Sequence, residues 1–248
     1  MECVLKKYCK RKETCSLPCY PNTVMHGLRG DSGYWGTKNT PKKYSNLFIK
    51  DLPIKEENPE TFEIIKKYIE DILLYVREKN LGLYLFSIPN PENRLGTGTG
   101  KSTTACILLN EYLVVRVLQG LKDKDLAANL AYFVRLSEFQ NKYNEQFRGS
   151  SENRETAANR FYSVKKRMME TELLAIDDVA VRDGTEAFKN ELYDIIDYRA
   201  IEGLTTIFTS NYPIPEIREF LGDRICSRIE GMTVPLGFKG IDHRRRVF

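Results

Sequence analysis

Leu95-Gly96-Thr97-Gly98-Thr99-Gly100-Lys101-Ser102-Thr103 is the stretch of this 248-residue chain from which the rest is read. Glycines at alternate positions let the backbone turn tightly with its N–H groups facing inward, as an anion nest. Gly96, Gly98, Thr99 and Gly100 supply the turn. Lys101 adds a cation that reaches the outer phosphates of a nucleotide, Ser102 offers a hydroxyl to magnesium, and Thr103 follows. The apolar spacing of Ala105, Ile107, Leu108 and Leu109 predicts a helix opening here, so its free N–H groups and dipole would face the anion. Upstream, Gly82-Leu83-Tyr84-Leu85-Phe86-Ser87-Ile88 reads as a buried strand. Strand, glycine loop and helix are the context a P-loop requires. Leu95 stands where the G-x-x-x-x-G-K-[ST] pattern has its first glycine, and Gly96 comes one residue late. Residues 89–94 also make a longer passage than a tight P-loop needs. The alternative is a glycine-rich surface loop.

The chain suits one medium domain with a small appendage, and 42% hydrophobic residues permit a real core. No run of eighteen apolar residues and no signal peptide is present, so a soluble, cytoplasmic protein is expected. A net charge of +4 permits nucleic-acid binding without arguing for it.

Residues 1–50 differ from the rest. Cys3, Cys9, Cys15 and Cys19 crowd among basic residues, with too few apolar side chains for an independent core. In a cytoplasmic chain such clustering points to zinc rather than disulfides, and a small segment needs such a staple. The spacing offers five candidate ligands for four places: Cys9, Cys15 and Cys19 are favoured, with Cys3 or His26 as the fourth. Free thiols in a tail are the alternative. Residues 51–59 read as a linker, and residues 60–248 as the main domain. There a helix over 60–79 precedes alternating strands and helices, which implies a parallel sheet covered on both faces. Ala131-Tyr132-Phe133-Val134-Arg135-Leu136 is a second strand, followed by helices over 138–147 and 155–169.

Leu173-Leu174-Ala175-Ile176-Asp177-Asp178 is an apolar strand ending in two acids. A parallel strand delivers its C-terminal residues to the ligand edge of the sheet, beside the P-loop. Asp177 would hold magnesium there, and Asp178 would orient and deprotonate a water. An acidic strand-to-loop turn is the blander reading. After an amphipathic helix over 188–201, Leu204-Thr205-Thr206-Ile207-Phe208-Thr209-Ser210-Asn211 is a further strand. Asn211 at its polar end would sense the γ-phosphate from between the two nucleotide strands, or else merely cap the helix opened by Pro213. Arg224 and Arg228 share one helix face; they either bridge to acids in the fold or reach a neighbour's nucleotide. The C-terminal Asp242-His243-Arg244-Arg245-Arg246-Val247-Phe248 is either a solvated tail or a basic cluster with one arginine on the nucleotide and others on DNA phosphates.

The order P-loop, L-L-A-I-D-D, F-T-S-N, L-G-D-R-I-C-S-R-I and terminal R-R-R-V resembles the AAA+ ATPases of the DnaC/DnaI-type replicative helicase loaders, phage members included. The match runs over residues 83–247, and a cysteine-bearing N-terminal domain is typical of the DnaI-like branch. The resemblance implies an α/β, RecA-like P-loop fold without a lid domain, preceded by a small zinc-binding domain. It implies Walker A at Lys101 and Ser102, Walker B at Asp177 and Asp178, sensor 1 at Asn211, an arginine finger at Arg228 and sensor 2 at Arg244. It further implies ATP, Mg2+ and Zn2+ as cofactors. The expected activity is ATP-driven loading of a replicative helicase onto single-stranded DNA, through self-association of the ATPase domains. Rival expectations are a transposition-helper ATPase, a binder that sequesters the helicase and uses ATP structurally, and a small-molecule P-loop kinase, which would need an acceptor pocket.

Overall fold

A computed structural model describes residues 3–9, 13, 15, 18–180 and 184–243. Its framework is a sheet of five strands: β1 (Gly82–Ser87), β2 (Ala131–Arg135), β3 (Leu173–Asp177), β4 (Thr205–Ser210) and β5 (Thr233–Phe238). They lie in the order β2-β3-β4-β1-β5, and every pairing is parallel. Parallel neighbours require crossovers, which the helices supply. After β1 comes α4 (Lys101–Asp123), the longest helix, preceded in the chain by α1 (Tyr20–His26), α2 (Gly33–Thr37) and α3 (Pro59–Glu70). Then follow α5 (Leu136–Glu145), α6 (Ser151–Glu170), α7 (Glu186–Ile201), α8 (Ile214–Leu221) and α9 (Asp223–Met232).

The two-residue period of the strands divides the core. Leu83, Leu85, Phe133, Ala175 and Ile207 join one hydrophobic cluster with α3 and α4. Tyr84, Tyr132, Val134, Ile176 and Phe208 face the other, beneath α5 to α9. Burial on both faces explains why these strands read as continuous apolar runs. Among the described residues α4 is the one helix long and apolar enough to cross a membrane, yet 78% of its apolar window is buried in this core.

One strand was not announced by the sequence. β5 carries no clear sequence signal because Pro235 and Gly237 interrupt it; it is an edge strand paired only with β1, where a proline's missing N–H is tolerated. Gly222, at φ 84°, separates α8 from α9, and Arg224 and Arg228 both lie on α9.

The segment before α3 packs directly on α4. Trp35, Leu52 and Ile54 are buried in the same cluster as Leu108 and Leu109. Asn110 Nδ2 donates to the carbonyls of Tyr44 (3.0 Å) and Leu47 (2.8 Å), and Glu111 accepts from the Ile49 N–H at 2.9 Å. Lys38, 1% exposed, donates to Asn110 Oδ1 and the Ser45 carbonyl, each at 2.7 Å, and lies 3.0 Å from the centroid of the Trp35 ring. Burial pushes its pKa down to about 6. Residues on both sides of position 50 thus pack on α4. A fully buried Ile54 alone contributes roughly 1.5–3 kcal/mol to holding this segment down.

Candidate functional site

The C-terminal ends of β2, β3 and β4 and the glycine loop that follows β1 open onto one cavity of about 940 Å3. Thr97, Gly98, Thr99, Gly100, Lys101, Ser102 and Thr103 line one side; Asp177, Asp178 and Asn211 line another. The glycine loop, the acid pair and the polar end of the neighbouring strand thus meet as the sequence leads one to expect. β4 does lie between β1 and β3.

The glycines are required by geometry. Gly96, Gly98 and Gly100 all have positive φ (59°, 69° and 96°). A Cβ on Gly96 would lie 2.4 Å from Ser87 Cβ, and one on Gly98 would lie 1.7 Å from Asp242 Oδ1. Leu95, where the pattern has its first glycine, is instead 77% exposed and meets no such constraint. Gly96 does the close approach to β1. There the Ser87 hydroxyl donates to the Gly96 carbonyl and accepts from Lys101 Nζ. Lys101 Nζ also donates to the Gly96 carbonyl at 3.2 Å and to Thr99 Oγ1 at 3.3 Å.

The long passage before the loop has a structural use. Asn90 Oδ1 accepts from the N–H groups of Glu92 and Asn93, closing a turn. Asn93, buried, donates through Nδ2 to the carbonyls of Thr97 (2.7 Å) and Gly240 (3.1 Å). The C-terminal segment then lies along the loop: Thr97 Oγ1 donates to Asp242 Oδ2 at 3.1 Å, and the His243 N–H donates to the Gly98 carbonyl at 3.3 Å. His243 pairs with Glu57 at 2.9 Å, and Asn58 exchanges two 2.8 Å hydrogen bonds with the backbone of Lys239. Residues 239–243 thereby tie the start of α3 to the glycine loop.

Asp177, 6% exposed, accepts a 2.7 Å hydrogen bond from Thr209 Oγ1, and its other oxygen lies 3.9 Å from Arg135 Nε. Asp178 leaves β3 at φ 59°, a left-handed conformation that aspartate tolerates better than most residues. Its N–H donates to Thr209 Oγ1 at 2.9 Å. Asn211 does not cap the following helix; Pro213 occupies the cap position of α8. Sequence reasoning missed Arg135, opposite Asp177 in the β2–β3 register, and Ser87 and Thr209. Both hydroxyls were legible as polar residues at the ends of apolar strands. It also missed Tyr44, Leu47, Asp51 and Pro53, which form a further wall of the cavity from a segment without periodicity.

Arg228 is not at this cavity. It lies on α9 and pairs with Asp197 of α7 at 2.7 Å, while Arg224 stacks on Tyr193 with its guanidinium carbon 4.0 Å from the ring centroid. Arg244 falls outside the described residues.

Cys3, Cys9, Cys15 and Cys19 line a separate cavity of about 400 Å3 with Leu5, Glu13 and Leu118. Among the described residues no group of three or more His, Cys, Asp or Glu side chains is arranged to hold a metal ion. His26 is elsewhere: it is 3% exposed, accepts from the Val4 N–H at 3.4 Å and lies near Trp35. Of the two candidates for a fourth ligand, Cys3 is the one that shares the thiol cavity.

The parallel order β2-β3-β4-β1-β5, with a glycine loop after β1 and an acid pair at the end of β3 on the far side of β4, defines a P-loop α/β fold. Among solved structures, the chain is similar to the DnaC helicase loader, with a TM-score of 0.58 and 18% identity over 80% of this chain and 100% of that one. It is similar to DnaI, at 0.56 and 16% over 82% and 96%. It is also similar to AMPPCP-bound DnaA from Aquifex aeolicus, at 0.54 and 16% over 81% and 51%, so it spans about half of that protein. At these identities the likeness establishes the fold. No family model and no curated protein matches the sequence.

Proposed function

We propose that the chain is an ATPase that loads a replicative helicase onto single-stranded DNA. The observation that carries this is the convergence of Lys101, Asp177, Asp178 and Asn211 on one cavity, in a fold shared with the DnaC helicase loader. The residues suit a magnesium nucleotide. Three glycines whose Cβ positions are already filled leave a backbone cradle for phosphate, and Ser102 with the two carboxylates is a hard-oxygen donor set.

In this reading Lys101 and the loop N–H groups bind the outer phosphates of ATP. Ser102 and Asp177 would hold magnesium, which when bound would supply positive charge beside the transferred phosphoryl group. Asp178 orients a water and takes its proton as that water displaces ADP, and Asn211 fixes the water or the γ-phosphate. Tyr44, Leu47 and Pro53 give the base an apolar wall. Arg228 leaves Asp197 to reach the ATP of a neighbouring copy, so that nucleotide and self-association are coupled. Arg244 contacts the nucleotide in its own subunit. Residues 1–50 grip the helicase, with Cys3, Cys9, Cys15 and Cys19 closing on a zinc ion. Basic residues supply a salt-dependent hold on DNA.

The test is a helicase-loading assay on circular single-stranded DNA, with ATPase turnover followed in parallel. Asp178→Asn is expected to retain helicase and nucleotide binding while losing turnover and release of the helicase. Wild-type protein that binds nucleotide but neither binds a replicative helicase nor stimulates its loading would refute the assignment.

A further inference from the structure

We propose that Thr209 is a positioning residue that sets Asp177 and Asp178 relative to each other; this rests on the ATPase reading above. β4 lies between the strand that leads into the glycine loop and the strand that carries the acids. Near its C-terminal end Thr209 is 1% exposed and borders the nucleotide cavity. A threonine hydroxyl has one proton to give and lone pairs to receive. Here both are used on the acid pair: the proton goes to Asp177 Oδ1 at 2.7 Å, and the oxygen accepts the Asp178 N–H at 2.9 Å. The Thr209 carbonyl accepts the next N–H, that of Val179, at 2.9 Å. One residue thus holds three consecutive positions where β3 ends.

Two consequences follow for the chemistry. With Oδ1 engaged, the Asp177 carboxylate cannot rotate freely, so the orientation it offers a cation is fixed in advance. Asp178 sits at φ 59°, a conformation that persists for a non-glycine residue only where its surroundings over-determine it. The paired N–H bonds from Asp178 and Val179 to Thr209 are those surroundings. The other β4 threonines do different work: Thr205 donates to the Val76 carbonyl and Thr206 accepts from Arg199, both at the opposite end of the strand. Thr209 alone among them meets the acids.

Thr209→Val keeps the shape and removes the hydroxyl; Thr209→Ser keeps the hydroxyl. For Thr209→Val, turnover is expected to fall roughly 10- to 100-fold, the usual effect of losing a group that orients a metal-binding residue. The magnesium concentration that half-saturates binding of a labelled non-hydrolysable ATP analogue should rise, while affinity for the analogue without magnesium stays within about twofold. Thr209→Ser is expected to restore both. Wild-type turnover and magnesium dependence in Thr209→Val would overturn the proposal. So would a Thr209→Ser variant as impaired as Thr209→Val, or an equal loss of magnesium-free analogue binding, since each denies the hydroxyl its specific role. Should Thr209→Val fail to fold, Thr209→Cys, of similar size but a weak donor, is read in the same way. Absence of turnover in the wild type counts against the ATPase reading, and the magnesium titration still decides the role of Thr209.

Discussion

Replacing Gly96 with alanine and Leu95 with glycine separates the motif's written pattern from its physical requirement. At Gly96 a side chain meets two costs. The backbone is at φ 59°, where a Cβ costs roughly 1–2 kcal/mol. The new methyl would also lie 2.4 Å from Ser87 Cβ and 2.9 Å from its Oγ, an overpacking that costs roughly 1–3 kcal/mol. The total is about 2–5 kcal/mol, and it falls on the serine whose hydroxyl joins the Gly96 carbonyl to Lys101. If only about 1.4 kcal/mol of it is borne by the binding-competent loop, nucleotide affinity drops about tenfold. Leu95 is 77% exposed, so Leu95→Gly removes nothing that shapes the cradle. Titration with a fluorescent ATP analogue should therefore show Gly96→Ala weakened at least about tenfold and Leu95→Gly within about twofold of wild type. Unchanged binding by Gly96→Ala, or tenfold tighter binding by Leu95→Gly, would refute the claim that Gly96 serves as the loop's first glycine.

Lys38 makes stability depend on pH. Its native pKa of about 6 lies below the unfolded lysine value near 10.4, so between these limits the unfolded chain binds the extra proton and stability rises with pH. From pH 6.5 to 8.5 this amounts to about 2.5 kcal/mol in urea unfolding, and Lys38→Met should remove that slope. Arg228→Ala should shift the melting temperature little, because the Arg228 side chain is about half exposed, while abolishing turnover in the assembled state. Mixing it with Asp178→Asn, in an order that joins an intact finger to an intact acid, should restore part of the activity. Cys15→Ser should lose zinc by metal analysis and lose helicase capture, while nucleotide binding is retained.

Most of the sheet was legible because strands buried on both faces are continuous apolar runs, and four of the five announce themselves in that way. β5 did not, since an edge strand tolerates Pro235 and exposes Val234. Asp177, Asp178 and Asn211 at the ends of β3 and β4 were legible because a glycine loop upstream gave polar residues closing apolar strands a shared use. The wall formed by Tyr44, Leu47, Asp51 and Pro53 was not: Tyr44 and Leu47 are held through their backbone carbonyls by Asn110, and backbone contacts leave no side-chain pattern. The same applies to the strap of residues 239–243, whose bonds to Asn58 and Asn93 join positions 181 and 147 residues apart. Arg135 was hidden for a different reason. Its meaning comes only from the register that sets it opposite Asp177.

The most direct measurement is a crystal structure of the protein with a non-hydrolysable ATP analogue and manganese, located by its anomalous signal. The triphosphate should lie along residues 96–102, with the manganese about 2.1 Å from Ser102 Oγ and bound by Asp177 directly or through one water. An analogue bound away from Lys101, or a manganese peak remote from both Ser102 and Asp177, would contradict the account at its centre.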